Sequence, residues 1–346
     1  MKNNFAFFSQ QRKFESDQEF WVAQTQNSSV AGDATCQAVR ISGATTRNSC
    51  TESLPVLCTQ SAPPSTRYTA DKSEKFQVTQ TVGSQKITGF RDFYSFRFLG
   101  IRYAPQPTRF TYSTLYEGPG NQSALDFGSK CTQSGEGGTE DCLFLNIFTP
   151  TLPTVPAAQD QLKPVMFWIH GGGFVGDSTQ NIMHDGTHLA SRGDVVVVSI
   201  EYRLSTLGFL ALDNNRTTGN WALSDMVNGL TWVNKYISAF GGDPNQVTIL
   251  GESAGGHAMR TMLGSPKAKG LFHKTIMISG GGNNAGTRPD SLWKPSKVAG
   301  AQTGAKILEL TGCANKTDSL ACLRAYNASK LVALPTVARS VHIHLT

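Results

Sequence analysis

The segment Val247-Thr-Ile-Leu-Gly251-Glu252-Ser253-Ala254-Gly255-Gly256 constrains the fold of this chain more than any other. A short β-rich run leads into Gly-x-Ser-x-Gly and then into small residues that open a helix, so a strand, a sharp turn and a helix follow one another directly. A serine at the tip of such a turn needs a strained backbone, and Gly251 and Gly255 remove the Cβ atoms that would clash there. The helix amino terminus brings free N–H groups and the positive end of the helix dipole to the serine hydroxyl. Alone, the pattern also fits an ordinary Gly/Ser loop; the β run before it and Ala-Gly-Gly after it favour the elbow.

The flanking sequence predicts a sheet to carry that elbow. Short β-rich runs at about 165 to 170, 195 to 201, 247 to 252 and 274 to 279 alternate with helix-like stretches, the pattern of a parallel sheet covered on both faces. Leu223, Met226, Val227, Leu230, Val233 and Ile237 form one stripe of a helix from about Asn220 to Phe240, ended by Gly241-Gly242-Asp243-Pro244. Further helices are expected over Ser296 to Leu310, closed by Gly312, and around Ser319 to Tyr326. Upstream, Phe76 to Phe90 reads as two alternating strands about Gly83-Ser84, and Phe96 to Tyr103 adds another, giving an antiparallel portion from 76 to 104. Residues 1–75, rich in Ser, Thr, Gln and Ala and carrying Cys36, Cys50 and Cys58, read as an irregular extension.

At 346 residues the chain has room for roughly two domains, or one large domain with an extension. Charged residues make up 16%, against about 25% in an average domain. The net charge of +6 is spread without a Lys/Arg block, which argues against a nucleic-acid partner. The longest apolar run, Val165 to Ile169, is far short of the roughly 18 residues of a spanning helix. Seven cysteines and acceptor sequons at Asn27, Asn121, Asn215, Asn315 and Asn327 point to a secreted glycoprotein. The first dozen residues hold only Phe5-Ala6-Phe7-Phe8, too short an apolar core for a signal peptide.

Trp168-Ile-His170-Gly171-Gly172-Gly173-Phe174, some 80 residues before the elbow, sits at the end of another strand. Acyl transfer needs backbone N–H donors aimed at the oxygen of a tetrahedral intermediate, and a glycine loop supplies them with no side chains in the way. Two such donors with the N–H of Ala254 make a three-point oxyanion hole. Gly171-x-Gly173-x-x-Gly176 also matches a dinucleotide fingerprint, with Glu201 ending the next strand 25 residues later. That reading requires a helix opening at Gly173, whereas Asp177 to Asn181 reads as loop and Gly186 interrupts the stretch after it. His184 and His188 are spaced like metal ligands but lack a third partner, so no metal site is assigned. Glu252 is expected in a buried ion pair, and Trp168, Trp221 and Trp232 in the core.

The stretches Phe98 to Ala104, Glu140-Asp-Cys-Leu-Phe-Leu-Asn-Ile-Phe148, Trp168 to Phe174, and Phe240-Gly-Gly-Asp-Pro through Gly256 resemble the type-B carboxylesterase family, which includes cholinesterases and fungal lipases. The likeness covers about Phe76 to Leu334, with a divergent tail at 335–346. It implies an α/β-hydrolase fold, Ser253 as nucleophile and Gly172, Gly173 and Ala254 as the oxyanion hole. It also implies disulfides Cys131–Cys142 and Cys313–Cys322; loops of about a dozen residues closed in this way contribute on the order of 3 kcal/mol each in the chain-entropy model. Cys36, Cys50 and Cys58 fall outside it and leave at least one thiol unpaired. The implied reaction is two-step hydrolysis of a small-molecule or lipid ester through an acyl-enzyme, with no metal or organic cofactor.

Two departures stand out. The family's triad acid and histidine come after the serine at a distance, and 93 residues lie beyond Ser253. Both triad partners are therefore expected to be absent from this chain, together with the carboxyl-terminal part of the sheet, leaving an apolar edge past Ile278 and an uncovered helix face near Ile307. His257, His273, His342 and His344 are poor substitutes by position. No aromatic lies between Cys131 and Glu140, which argues against choline esters. The alternatives are a non-catalytic binding or adhesion relative and an inactive fragment of the same fold.

Overall fold

The computed structural model describes residues 18–22, 35–40, 42–54, 56–57, 62–63, 69–153, 162–214, 216–280 and 295–334. The chain forms two compact units, Met1–Ser61 and Ala62–Thr346.

The first unit carries a four-stranded sheet where an irregular stretch was expected. Strands β1 (Glu19–Val22), β2 (Thr35–Arg40), β3 (Thr45–Ser49) and β4 (Val56–Leu57) lie in the order β3-β2-β1-β4. Their stabilisation is mostly polar and covalent. Arg40 Nε donates to Glu19 Oε1 at 2.7 Å, Asn48 donates to the same carboxylate, and Cys36 is bonded to Cys50. Among the described residues, the sheet's apolar cluster is Phe20 and Val39 with Val22 packed against them. A sheet with so little core shows no hydrophobic alternation, so no period marks it in the sequence.

The second unit is built on a nine-stranded mixed sheet. Its strands are β5 (Gln77–Val82), β6 (Gln85–Arg91), β7 (Phe96–Arg102), β8 (Gly120–Ser123), β9 (Phe144–Thr149), β10 (Lys163–Ile169), β11 (Val196–Ile200), β12 (Gly242–Glu252) and β13 (Lys274–Ile278). The order is β13-β12-β10-β11-β9-β7-β6-β5, with β8 beside β6. The strands β13, β12, β10 and β11 are parallel neighbours; β11, β9, β7, β6 and β5 run antiparallel in turn. The two-residue turn between Val82 and Gln85 sits at Gly83-Ser84. Strand β9, inside the Glu-Asp-Cys-Leu segment, and the short β8 were not foreseen as strands.

Every residue of β11 is buried, as a strand covered on both faces requires. Helix Trp221–Tyr236 lays Met226, Leu230 and Val233 on the sheet and continues as a 3-10 turn to Phe240. The segment expected as one helix over 296 to 310 divides into Ser296–Ala299, a π-helical stretch Gly300–Gly304 and Ala305–Thr311, capped by Gly312. Ile307 is 2% exposed, so its face is not uncovered. It packs in a cluster with Phe110, Leu207, Leu323 and Leu331, the last two from helices Ser319–Ala325 and Ala328–Val332. Cys313–Cys322 braces that layer. Among the described residues, no helix is long and apolar enough to cross a membrane.

Candidate active site

Ser253 sits at the junction of β12 and helix Ala254–Gly264, with φ 52° and ψ −115°. This left-handed φ is sterically costly for a residue with a Cβ and persists only where neighbours enforce it. They do so from both sides. The Ser253 N–H donates to the carbonyl of Ile278 on β13 at 2.9 Å, and its own carbonyl accepts from His257 N–H at 2.9 Å. On the other side, a Cβ at Gly255 would fall 2.1 Å from the carbonyl oxygen of Ile169, the last residue of β10. No residue larger than glycine fits that approach without backbone movement.

The glycine loop leaves β10 directly beside the serine. A Cβ on Gly171 would lie 3.3 Å from Ser253 Cβ and 2.6 Å from Glu252 Oε2. Gly172 has φ 81°, and its carbonyl accepts from Val175 N–H at 3.0 Å and Gly176 N–H at 3.1 Å, closing a tight turn. The N–H groups of Gly172 and Gly173 donate to no described residue. That of Ala254, the first residue of its helix, has no intrahelical acceptor. The elbow and the glycine turn thus meet, with donors of the kind an oxyanion needs on both.

A buried layer holds the loop from beneath. The Tyr202 hydroxyl donates to the carbonyl of His170 at 2.8 Å and stacks its ring on the His170 imidazole. Ser205 N–H, at φ 53°, donates to the Phe174 carbonyl at 2.7 Å. Gln133, within the Cys131–Cys142 loop, grips Asp177 through two 2.9 Å bonds, donating to its carbonyl and accepting from its N–H. The Glu201 Oε1 accepts both the N–H and the hydroxyl of Thr179 at 2.7 Å. Burial pushes the Glu201 carboxyl up to about 7, against the lowering effect of Thr179. Burial likewise pulls the His170 imidazole down to about 4, opposed by the charge of Asp177. Beneath this layer Arg203 makes a bidentate pair with Asp225, both bonds 2.8 Å, and is buried.

None of these supports was singled out from sequence. Each joins residues 22 to 44 positions apart, and the sequence marks Glu201 only as the acid that follows the dinucleotide-like fingerprint. The structure removes that reading: no helix opens at Gly173, the next being the 3-10 turn Ile182–His184, and the Glu201 carboxyl is committed to Thr179.

Other candidates disperse. Glu252 is half-buried against Gly171 and forms no ion pair among the described residues, contrary to expectation. His184 Nδ1 bonds the Ser178 carbonyl at 2.9 Å while the His188 ring packs tilted against Tyr94, and no metal-binding group occurs among the described residues. His257 lies a turn along the elbow helix. His273 Nδ1 accepts from Val247 N–H at 3.1 Å, midway along β12 and six residues before Ser253. The Ser253 hydroxyl makes no hydrogen bond to a described residue; Cys58, His342 and His344 lie outside those residues.

The profile of the Carboxylesterase family matches residues 78–344. The chain is 37% identical over 258 residues to Acetylcholinesterase-1 of Trittame loki, covering 68% of this chain and 44% of that protein. It is 38% identical over 203 residues to the para-nitrobenzyl esterase of Bacillus subtilis (strain 168), covering 58% and 37%. It thus spans under half the length of these curated relatives. Among solved structures, a thermophilic PNB esterase superposes with a TM-score of 0.66 at 31% identity over 78% of this chain and 57% of that one. A carboxylesterase of Geobacillus stearothermophilus gives 0.65 at 34% identity over 74% and 52%. These solved relatives carry the α/β-hydrolase fold, and with the elbow and the glycine loop adjoining as described, the chain belongs to the carboxylesterase family.

Proposed function

We propose that this chain carries the nucleophile and oxyanion hole of a serine carboxylic ester hydrolase. The observation that carries the reading is Ser253 at φ 52° on a strand-to-helix junction with Gly171 packed on its Cβ. Ser253 attacks the acyl carbon; the N–H groups of Gly172, Gly173 and Ala254 hold the oxyanion; its collapse breaks the acyl C–O bond, releasing the alcohol with the serine's proton, and water then cleaves the acyl-enzyme to the carboxylic acid and free Ser253. A serine hydroxyl needs a base, whose help is worth about 10² to 10⁴-fold. No described imidazole reaches Ser253, so the base comes from outside the described residues. The substrate is a small-molecule or lipid ester, as in the lipases of the family. Three disulfides support residence in the secretory pathway, where the exposed Asn121, Asn315 and Asn327 would be glycosylated.

The test is covalent labelling by a fluorophosphonate, followed by turnover of p-nitrophenyl esters of increasing chain length. Labelling of the 346-residue chain at Ser253, abolished in Ser253→Ala, is expected. Parallel His342→Ala and His344→Ala variants show whether either serves as the base. Absence of labelling at Ser253 at any probe concentration the folded chain tolerates, with ester turnover also absent, would overturn the reading in favour of a binding relative.

A further inference from the structure

His170 and Glu201 face each other beneath the glycine loop in a way the loop's anchoring does not require. Strands β10 and β11 pair in parallel with Ile169 opposite Ile200, so the next residue on each strand is brought side by side at the sheet's carboxyl end. Glu201 Oε2 and His170 Nε2 stand 3.9 Å apart. Both side chains are all but sealed from solvent, and, a looser approach of the Cys131 N–H to the Glu201 carboxyl aside, neither atom has a hydrogen-bond partner of ordinary geometry among the described residues. Two such orphaned atoms aimed at one another are costly unless something joins them.

One proton joins them. His170 Nδ1 lies 3.2 Å from the Gly171 carbonyl, which can only accept, so Nδ1 carries the hydrogen and Nε2 of the neutral ring presents a lone pair. A protonated Glu201 has its hydroxyl on Oε2, since Oε1 is occupied by both Thr179 donors. We propose that Glu201 and His170 share a single buried proton, carried on Glu201 Oε2 and donated to His170 Nε2, and that Glu201 is thereby a positioning residue for the glycine loop. Through Oε1 it holds the Thr179 end of the loop; through the proton it holds the His170 end. The gap exceeds an O–H···N bond by about 1 Å, within reach of side-chain torsion. That this loop serves as an oxyanion hole rests on the reading of Ser253 above; the shared proton does not.

The surroundings favour the neutral form. Besides Thr179 and the Cys131 N–H, which favours the ionised carboxyl, the titratable groups facing the pair are Asp177, His184 and Tyr202. Tyr103 donates to the Glu201 carbonyl. Asp177 opposes ionisation of Glu201 and favours a charged His170, but its carboxylate lies 3.5 Å from His184 Nε2, which draws on the same charge. Burial dominates both members, holding the acid protonated and the ring neutral.

This arrangement has a signature that packing alone lacks. A carboxyl raised from 4.5 to about 7 on folding loses stability as pH rises through that interval. An imidazole lowered from 6.5 to about 4 gains stability as pH rises through its own. Between pH 4.5 and 6.5 the unfolded chain holds the pair's proton on His170 and the folded chain holds it on Glu201. The two slopes cancel, and removing either member exposes the other.

The experiment is chemical denaturation of the 346-residue chain, its Glu201→Gln variant and its His170→Phe variant from pH 4.5 to 6.5. The glutamine of Glu201→Gln keeps an acceptor for Thr179 and offers His170 an N–H. Relative to the unsubstituted chain, the unfolding constant of Glu201→Gln should fall by nearly tenfold per pH unit in mid-range, about fortyfold in all. That of His170→Phe should rise by about the same factor. Because slopes are read within each variant and have opposite signs, either variant that folds decides the matter. Slopes parallel to the unsubstituted chain in the folding variants would overturn the shared proton. No ester turnover enters, so a failure here and a failure at Ser253 are told apart.

Discussion

Ser253 stands between two flanks of one sheet that are built differently. Towards β10 and β11, the glycine loop is tied at His170, Phe174, Asp177 and Thr179 by buried donors and acceptors, over a fully buried strand and the Arg203–Asp225 pair. Towards β13, the serine has one backbone bond to Ile278, and Ile276, Met277 and Ile278 are 43 to 48% exposed. The sheet ends at β13 in the described residues, with an unpaired apolar edge. The difference teaches that the glycine loop, which would give two of the three oxyanion donors, is braced entirely by residues 131 to 225. The other flank carries apolar surface of the kind that normally meets a neighbour.

Three substitutions test how deep that asymmetry runs. Asp225→Ala has the largest expected effect: it strands the Arg203 guanidinium in the core, which typically costs about 3 to 5 kcal/mol. Urea unfolding reads the loss directly, and a loss below about 1 kcal/mol would show that the β11 flank does not lean on this pair. Gln133→Ala comes next. It leaves the N–H and carbonyl of Asp177 without their partners, at about 1 to 3 kcal/mol, and should slow fluorophosphonate labelling of Ser253 more than it lowers Tm. Equal labelling in Gln133→Ala and the parent would cut the Cys131–Cys142 loop out of the site.

Met277→Lys is the smallest perturbation and the sharpest for the other flank. With Met277 48% exposed, stability should move by no more than about 0.5 kcal/mol. Light scattering on warming should show less aggregation, because a charge on an exposed apolar edge blocks strand addition. A destabilisation of about 2 kcal/mol or more would mean that the edge is covered in solution and that the two flanks are alike.

The elements that were legible share a cause. Strands β10 to β12 and helix Trp221–Tyr236 bury one or both faces in a single core, so their apolar spacing is visible in the chain itself. Strand β9 was not expected as a strand because it lies inside a motif that stands out for other reasons. The sheet of the first unit was missed because hydrogen bonds and the Cys36–Cys50 bond carry it. The helix face at Ile307 is bare in the sequence reading; its cover comes from Leu323 and Leu331, on two further short helices whose docking onto it is a tertiary matter.

By itself the sequence determined the elbow. Gly251 clears the backbone of Gly255 within the turn itself, a steric reason readable from the chain, whereas Gly255 clears the Ile169 carbonyl of β10, a contact that only the tertiary structure supplies. The likeness carried by a handful of motifs added the pairing of serine with glycine turn. Tertiary structure alone decided what stands under that turn. Glu201 meets His170 only because two parallel strands are in a particular register, and Gln133 reaches Asp177 only because a disulfide-closed loop folds back across the sheet. Hydrogen bonds between residues dozens of positions apart leave no period in the chain, since neither partner's identity constrains its sequence neighbours.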